Sequence, residues 1–327
     1  MDEPFTRVRV ADKAEPQPVP AAGRLRVLAL VNVDGRAAAM VGRAALQTRV
    51  ADAFAAAGAD AKVELHSARA LPEALEAATA GGFAFDALAV GGGDGTIGTA
   101  AARLAGTDIP LGVLPLGTLN HFARDLGIPT LLELACLTIA ERHIRRVDLA
   151  EVNGRAFVNN SSIGIYPYMV ETRERQRRVL GLGKWSAMAL AFAWMIRRFP
   201  MHRLVIRAAE GARRRKTPCA FIGNNRYALE GPALGTRATL DRGELCVYVA
   251  RSRSRMQFVL TMLKAIFGRK IPRQDFEELA AKSLVIDSRA RRLRVAIDGE
   301  LLKIKPPLHY AIRPGALRVF APRVLIG

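Results

Sequence analysis

Apolar positions follow two different rhythms along this 327-residue chain. In the first half, short apolar runs alternate with longer stretches of helical spacing. Leu25–Val31 is apolar apart from Arg26, as expected of a strand buried on both faces. Ala37–Ala57 follows with helical spacing and ends at Gly58. Lys62–His66 predicts a second strand, Leu71–Ala80 a second helix and Asp86–Val90 a third strand. Ile97–Leu104 then reads as helix and Leu111–Leu114 as a fourth strand. Strands separated by helices predict an α/β domain, a parallel sheet with flanking helices and right-handed crossovers.

Near residue 145 the rhythm shortens. Asn153-Gly154 sits between two alternating runs, the signal of a hairpin. Leu204–Ala208, Pro218–Gly223, Glu244–Ala250, Ser283–Ile286, Leu293–Ile297 and Leu317–Phe320 are short runs separated by turn residues. That pattern predicts a β-rich antiparallel sandwich. Two stretches, Met169–Phe199 and Arg255–Phe267, interrupt it with helical spacing. The expected organisation is a disordered tail over 1–23, an α/β domain over 24–148 and a β-rich domain over 149–327. The tail is polar and proline-bearing and lacks an apolar secretory core.

Charge adds a partner class. Forty-nine Lys and Arg against 30 Asp and Glu leave a net charge of +19. Such a surplus points to an anionic partner: a phosphorylated ligand, an anionic lipid surface or nucleic acid. Arginines cluster at 173–178, 197–198, 213–216 and 289–294, all in the C-terminal half. The clusters contain little aromatic interleaving and no zinc-finger or RNP motif accompanies them, so nucleic acid is not expected. Cys136, Cys219 and Cys246 are widely spaced, which fits buried small apolar residues in a reducing compartment. No apolar window approaches the roughly 20 residues of a membrane span. A cytoplasmic protein, peripheral on the inner face of the cell membrane, is the expectation.

The chemistry concentrates in one loop. Gly91-Gly92-Gly93-Asp94-Gly95-Thr96 follows a hydrophobic strand and leads into a helix. Backbone amides without Cβ atoms, at a helix N-terminus, suit a phosphate. The loop follows the third strand, and no acidic residue lies at the spacing that would hold a ribose, so a dinucleotide fingerprint is disfavoured. Asp94 inside the loop makes sense if it engages a metal ion or organises metal-bound phosphates. A second loop, Pro115–Asn120, leaves the same sheet edge, where Thr118 and Asn120 could face the same nucleotide.

GGGDGT together with LPLGTLNHFARDLGIP resembles the diacylglycerol kinase catalytic-domain family, which includes bacterial lipid kinases and the sphingosine and ceramide kinases. The resemblance runs from about Leu25 to the C-terminus, through VDLAEVNGRAFVNNSSIGIY and the late Asp298-Gly299-Glu300. It implies ATP and Mg²⁺ bound between two domains and a lipid hydroxyl, such as that of diacylglycerol, as acceptor. Gly92, Gly93, Asp94, Gly95, Thr96, Ile97, Gly98, Thr99 and Thr118 would contact the nucleotide, with Asn120 in support. Asp94 would serve catalysis as the carboxylate organising the metal, and Glu300 would be the general base. Departures are equally plain. Gly98-Thr99 replaces a usual Asn-Glu, His121 replaces an aspartate, and Asn32 and Gly35 match an early turn only in part. Arg242 stands where the family's structural magnesium site has an aspartate, with Asp241 beside it.

On the residues alone, Asp298-Gly299 is equally a type I′ hairpin turn that Glu300 merely follows. Trp185–Ile196, flanked by Lys184 and by Arg197-Arg198, suits either a helix at a lipid interface or a core helix. The rival functions are a kinase of this architecture on a soluble acceptor, as in NAD kinases, and a nucleotide- or lipid-binding protein without turnover. The acceptor and the oligomeric state are not legible, with a homodimer the commonest prior.

Overall fold

A computed structural model describes residues 23–164, 201–228, 235–251, 254, 257 and 275–323. The N-terminal half has the expected α/β order. Strand β1 (Leu25–Asn32) lies between β2 (Ala59–His66) and β3 (Ala87–Gly92), with β4 (Leu111–Pro115) beyond β3, and all four are parallel. β3 and β4 are buried at every position, which explains their continuous apolar runs. The connections carry α1 (Arg36–Val41), α2 (Arg43–Ala56), α3 (Leu71–Thr79), α4 (Asp94–Leu104), α5 (His121–Asp125) and α6 (Leu132–Ala140). α2 packs on α6 and α3 on α4.

Two local differences from the sequence expectation have physical causes. The single helix expected over Ala37–Ala57 is two, because Gly42 takes φ +83°, a conformation glycine adopts without the Cβ penalty. The glycine loop is shorter than its sequence suggests: Gly91 and Gly92 end β3, Gly93 is the N-cap, and Asp94 already opens α4.

The second half is antiparallel, as expected. It comprises β5 (Ile144–Val152), β6 (Arg155–Phe157), β7 (Asn160–Gly164), β8 (His202–Ala208), β9 (Gly211–Thr217) and β10 (Cys219–Asn224). After these come β11 (Leu245–Ala250), β12 (Phe276–Ala281), β13 (Ser283–Ser288), β14 (Leu293–Ile297), β15 (Glu300–Ile304) and β16 (Leu308–Phe320). The hairpin at Asn153-Gly154 forms, with both residues at positive φ. One sheet of ten strands runs β2-β1-β3-β4-β16-β13-β8-β9, with β5 and β6 branching from β16; a second of six runs β12-β11-β10-β7-β14-β15. Inner faces of both sheets meet in one core, where Ile163, Ile222, Val247 and Val295 from the six-stranded sheet pack with Leu204, Ile286 and Tyr310 from the other.

β16 joins the halves. It pairs antiparallel with β5 and β13, and parallel with β4 at Val319–Leu111. Its end, Leu317, Val319 and Phe320, is buried in the N-terminal core. Only Leu317–Phe320 of it is legible as a strand, because Pro314-Gly315 breaks the alternation. Here that pair forms a bulge between Arg313 and Leu317, with the Gly315 amide donating to Asp148 at 2.8 Å. The predicted helical stretch Met169–Phe199, and Arg255–Phe267 apart from Gln257, lie outside the described residues.

Candidate active site

The site forms at the C-terminal ends of β1, β3 and β4. β1 has β2 on one side and β3 on the other, so the chain crosses over β1 there, and such switch points open a crevice at the strand ends. Asn32 ends β1, and its amide donates to the Thr96 hydroxyl at 2.9 Å, locking the first turn of α4. The glycines divide into two groups. A Cβ at Gly92 would lie 2.5 Å from the Thr96 side chain, and one at Gly117 would lie 2.5 Å from the Gly93 Cα. Gly92 is glycine because the Thr96 side chain of the first turn of α4 packs on it, and Gly117 because the loop after β4 lies against the backbone of Gly93. Around Gly95, by contrast, nothing lies within 4 Å of a Cβ position. This is the open side of the α4 N-terminus, where amides can meet an anion.

Asn120 has left-handed geometry, φ +50° and ψ +45°, and is buried. Its oxygen accepts the Gly117 amide at 3.0 Å, and its NH₂ donates to the Pro115 and Gly117 carbonyls. It therefore braces the second loop from within, while Thr118 is exposed on that loop's surface. A groove of about 350 Å³ opens beside Thr118, lined by Met40, Val41, Leu116, Leu131 and Arg49 among others. Ile97 and Gly98 are buried in α4, and Thr99 turns its hydroxyl back to the Gly95 carbonyl at 3.0 Å.

Asp94 is half-buried and held from both halves of the chain. Its Oδ1 accepts the Phe122 amide from α5 at 3.1 Å and the Asn159 side-chain amide at 3.3 Å. Asn159 is buried and in turn accepts from the Arg237 guanidinium at 2.8 Å. Arg237 forms an ion pair of 2.7 Å with Asp125, with side chains 0% and 5% exposed. Its remaining donors reach the Val158 carbonyl at 2.6 Å and the Asn224 carbonyl at 3.0 Å, and it lies 5.3 Å from the Tyr227 ring centroid. Every arm of the guanidinium is engaged, which offsets the cost of burying it. Asp125, Asn159 and Arg237 were not among the residues expected from sequence. The NN in VNNSS and the RD in HFARD carry no signal of this role, and Arg237 is one arginine among many.

The late turn arrives on the other side. Asp298 (φ +45°) and Gly299 (φ +89°) make the expected hairpin turn between β14 and β15. The Asp298 carboxylate accepts the amides of Val158, Asn159 and Asn160 at 2.8, 2.9 and 3.0 Å. Burial pushes its carboxyl up to about 6, against the pull of those three amides. A Cβ at Gly98 would lie 3.1 Å from Asp298 Oδ2, so the turn rests directly on α4. Gly98 is small because this contact is close. Glu300 follows, exposed, at the start of β15. Residues from 94 and from 298–300 are thus brought to one crevice.

The 240s loop, where the resemblance implies a second metal, is tied down by protein groups. Buried Asp148 accepts the Asn225 side chain at 3.0 Å and the Gly243 amide at 2.6 Å; the Arg242 amide donates to Asn225 at 3.0 Å. Asp241 is exposed, 4.0 Å from Arg145. Among the described residues, no group of three His, Cys, Asp or Glu side chains is placed to hold a metal ion. One or two carboxylates with substrate phosphates suffice for Mg²⁺, and Asp94 beside the open end of α4 fits that minimum.

The site is a crevice at the strand ends of an α/β half, closed by a turn from a β-rich half. The sequence relationships agree: the diacylglycerol kinase catalytic domain matches residues 26–152, and the YegS C-terminal NAD kinase beta sandwich-like domain matches 168–321. The chain belongs to the diacylglycerol kinase catalytic-domain family. It is 34% identical over 260 residues to the "Probable lipid kinase YegS-like" of Pseudomonas aeruginosa, covering 76% of this chain and 80% of that one. It is 32% identical over 287 residues to a diacylglycerol kinase of Mycobacterium tuberculosis, covering 86% and 88%. A diacylglycerol kinase structure from Bacillus anthracis superposes with a TM-score of 0.67 at 21% identity, over 94% of this chain and all of that one. No helix among the described residues is long and apolar enough to cross a membrane.

Proposed function

We propose that this chain transfers the γ-phosphate of ATP, with Mg²⁺, to the hydroxyl of diacylglycerol or a similar neutral lipid. The observation that carries the reading is that the Asp298-Gly299-Glu300 turn rests on α4 at Gly98, one helical turn from Asp94, with Asn159 bonded to both aspartates. The open amide end of α4 at Gly93–Thr96 receives the phosphates, and the groove beside Thr118 has room for the base. Asp94 would hold Mg²⁺, which when bound neutralises phosphate charge. Phosphoryl transfer otherwise needs positioning and a group that takes the hydroxyl proton. Glu300, exposed at the start of β15 beside the Asp298-Gly299 turn, is assigned that role. Docking on an anionic membrane surface through Arg173–Arg178 and Trp185–Ile196 belongs to the same proposal; those segments lie outside the described residues.

The test is γ-labelled ATP with Mg²⁺ and a lipid panel in mixed micelles, run beside Asp94→Asn and Glu300→Gln. Labelled lipid from the parent chain, reduced at least about 100-fold in both variants, is expected. Product persisting in Glu300→Gln would move the base elsewhere. ATP binding with no labelled lipid would favour a soluble acceptor or a binding protein without turnover.

A further inference from the structure

One edge of the ten-stranded sheet carries more positive charge than its own carboxylates answer. On β8, Leu204 and Ile206 are buried in the core, so alternation sets Arg203, Val205 and Arg207 on the outer face. Register carries that face on to β9, where Lys216 lies opposite Arg203 and Arg214 opposite Val205. Arg213 and Arg215 are bonded to Glu277; Arg214 and Lys216, on the other face of the strand, are exposed. β13 brings one carboxylate to the outer face here, Asp287, and Arg207 takes it at 3.5 Å.

The turn after β13 adds to this charge. Ser288 lies opposite Leu204, so the chain continues to Arg289 level with Arg203. Arg289, Arg291 and Arg292 are all exposed there. With Arg203, Arg214 and Lys216 they make six cations, none in an ion pair among the described residues. Arg203 and Lys216 stand directly across a ladder, and like charges so placed destabilise a sheet. Charge on β9 alone would serve to keep an edge strand from pairing with other chains. That leaves Arg203 and the turn arginines unexplained, since β8 is an inner strand and residues 289–292 lie outside the strands.

β14 begins at Leu293, just after these arginines, and ends at Ile297, just before Asp298. Its 5 residues span roughly 17 Å, too far for the turn cations to touch reacting atoms at the catalytic turn. The chain between Gly164 and Met201 leaves and rejoins the sheets at this corner, since Gly164 pairs with Cys219 and His202 with Thr217. Its sequence includes the apolar run Trp185–Ile196, which suits a bilayer and not a nucleic acid.

We propose that this outer face docks the enzyme on an anionic lipid surface, with Arg203, Arg214, Lys216, Arg289, Arg291 and Arg292 meeting headgroup phosphates. The proposal rests on the lipid-kinase reading above and gives that kinase a way to stay where its acceptor is held. Cations near an anionic bilayer add their attractions, and salt weakens the sum. The surface is a tether: it concentrates the enzyme at the membrane and leaves the chemical step alone.

The experiment sediments the full chain with phosphatidylcholine vesicles, with and without phosphatidylglycerol, beside two double variants. One is Arg203→Gln with Lys216→Gln, the other Arg289→Gln with Arg292→Gln. A control, Arg24→Gln with Arg43→Gln, removes the same charge from the N-terminal half. Each of the first two should bind phosphatidylglycerol vesicles at least about tenfold more weakly, at unchanged Tm, while the control binds like the parent. Equal losses in all three would overturn the proposal, because net charge would then suffice. Undiminished vesicle binding in the first two would also overturn it, as would a lowered Tm or a loss confined to oligonucleotide binding. Turnover is read separately with labelled ATP. Dioctanoylglycerol in uncharged micelles should be phosphorylated equally by every variant, and vesicle-held diacylglycerol about tenfold less by the first two. Labelled lipid from no variant and none from the parent would remove the lipid-kinase reading; sedimentation, read without ATP, would still decide the docking surface.

Discussion

Two clusters of arginine and carboxylate hold this molecule together, and they do different things. Arg237 and Asp125 are sealed inside, at the junction of the two halves, with every guanidinium arm bonded. Glu277 on β12 receives Arg213 at 2.9 Å and Arg215 at 2.6 Å from β9, clamping an edge strand of one sheet to an edge strand of the other. The arginines of that second cluster are 38% and 40% exposed, while Glu277 is 11% exposed. The chemistry is the same, but the surroundings set the consequence. Loss of one partner in the buried pair strands a charge without solvent; loss at the edge lets water take its place. Only the buried pair continues, through Asn159, to the carboxylate of Asp94.

The sharpest way to break the comparison is Arg237→Met, which leaves Asp125 buried and alone. It should cost about 3–5 kcal/mol in denaturant unfolding. A cost within about 1 kcal/mol would mean that the pair behaves like the edge cluster. Asn159→Ala separates positioning from folding: it removes one donor from Asp94 and one acceptor from Arg237. Kinase turnover should drop about tenfold, with destabilisation of about 1–3 kcal/mol. Unchanged turnover would show that the Phe122 amide alone suffices to hold Asp94.

The edge cluster should respond least. The two arginines hold the Glu277 carboxyl down at about 2, from 4.5. A lowered value means that the stabilisation is present in full above about 4.5 and is lost as pH falls toward 2. Glu277→Gln should therefore cost about 1–2 kcal/mol at neutral pH, discounted for the exposed arginines, and almost nothing at pH 2. A pH-independent cost in unfolding experiments would assign the effect to packing instead.

The edge cluster also shows why one strand was hard to read. Gly211–Thr217 is dominated by consecutive charges, so no period of two is visible. Its alternation is real, but Arg213 and Arg215 share a side because a carboxylate waits there from residue 277. Together with the Arg213–Glu210 pair, that contact means that two of the four charges of this basic run are paired within the chain. Phe276–Ala281, the partner, is acid-rich and reads as loop until its ladder with β11 is seen. β1, β3 and β4, by contrast, are apolar runs broken only at Arg26 and were plain, since burial on both faces leaves almost no polar position to confuse the pattern.

The sequence by itself determined the two-part architecture, the glycine-rich opening of α4 and the carboxylates at 94 and 300 as candidates, because each rests on local pattern: periodicity, turn chemistry, absent Cβ atoms. Tertiary structure decided which glycines serve packing and which leave amides open. It showed how Asn120 braces its own loop, and it brought residues 94, 125, 159, 237 and 298 to one place. These are properties of register and burial between segments far apart in the chain, and no local spacing encodes them.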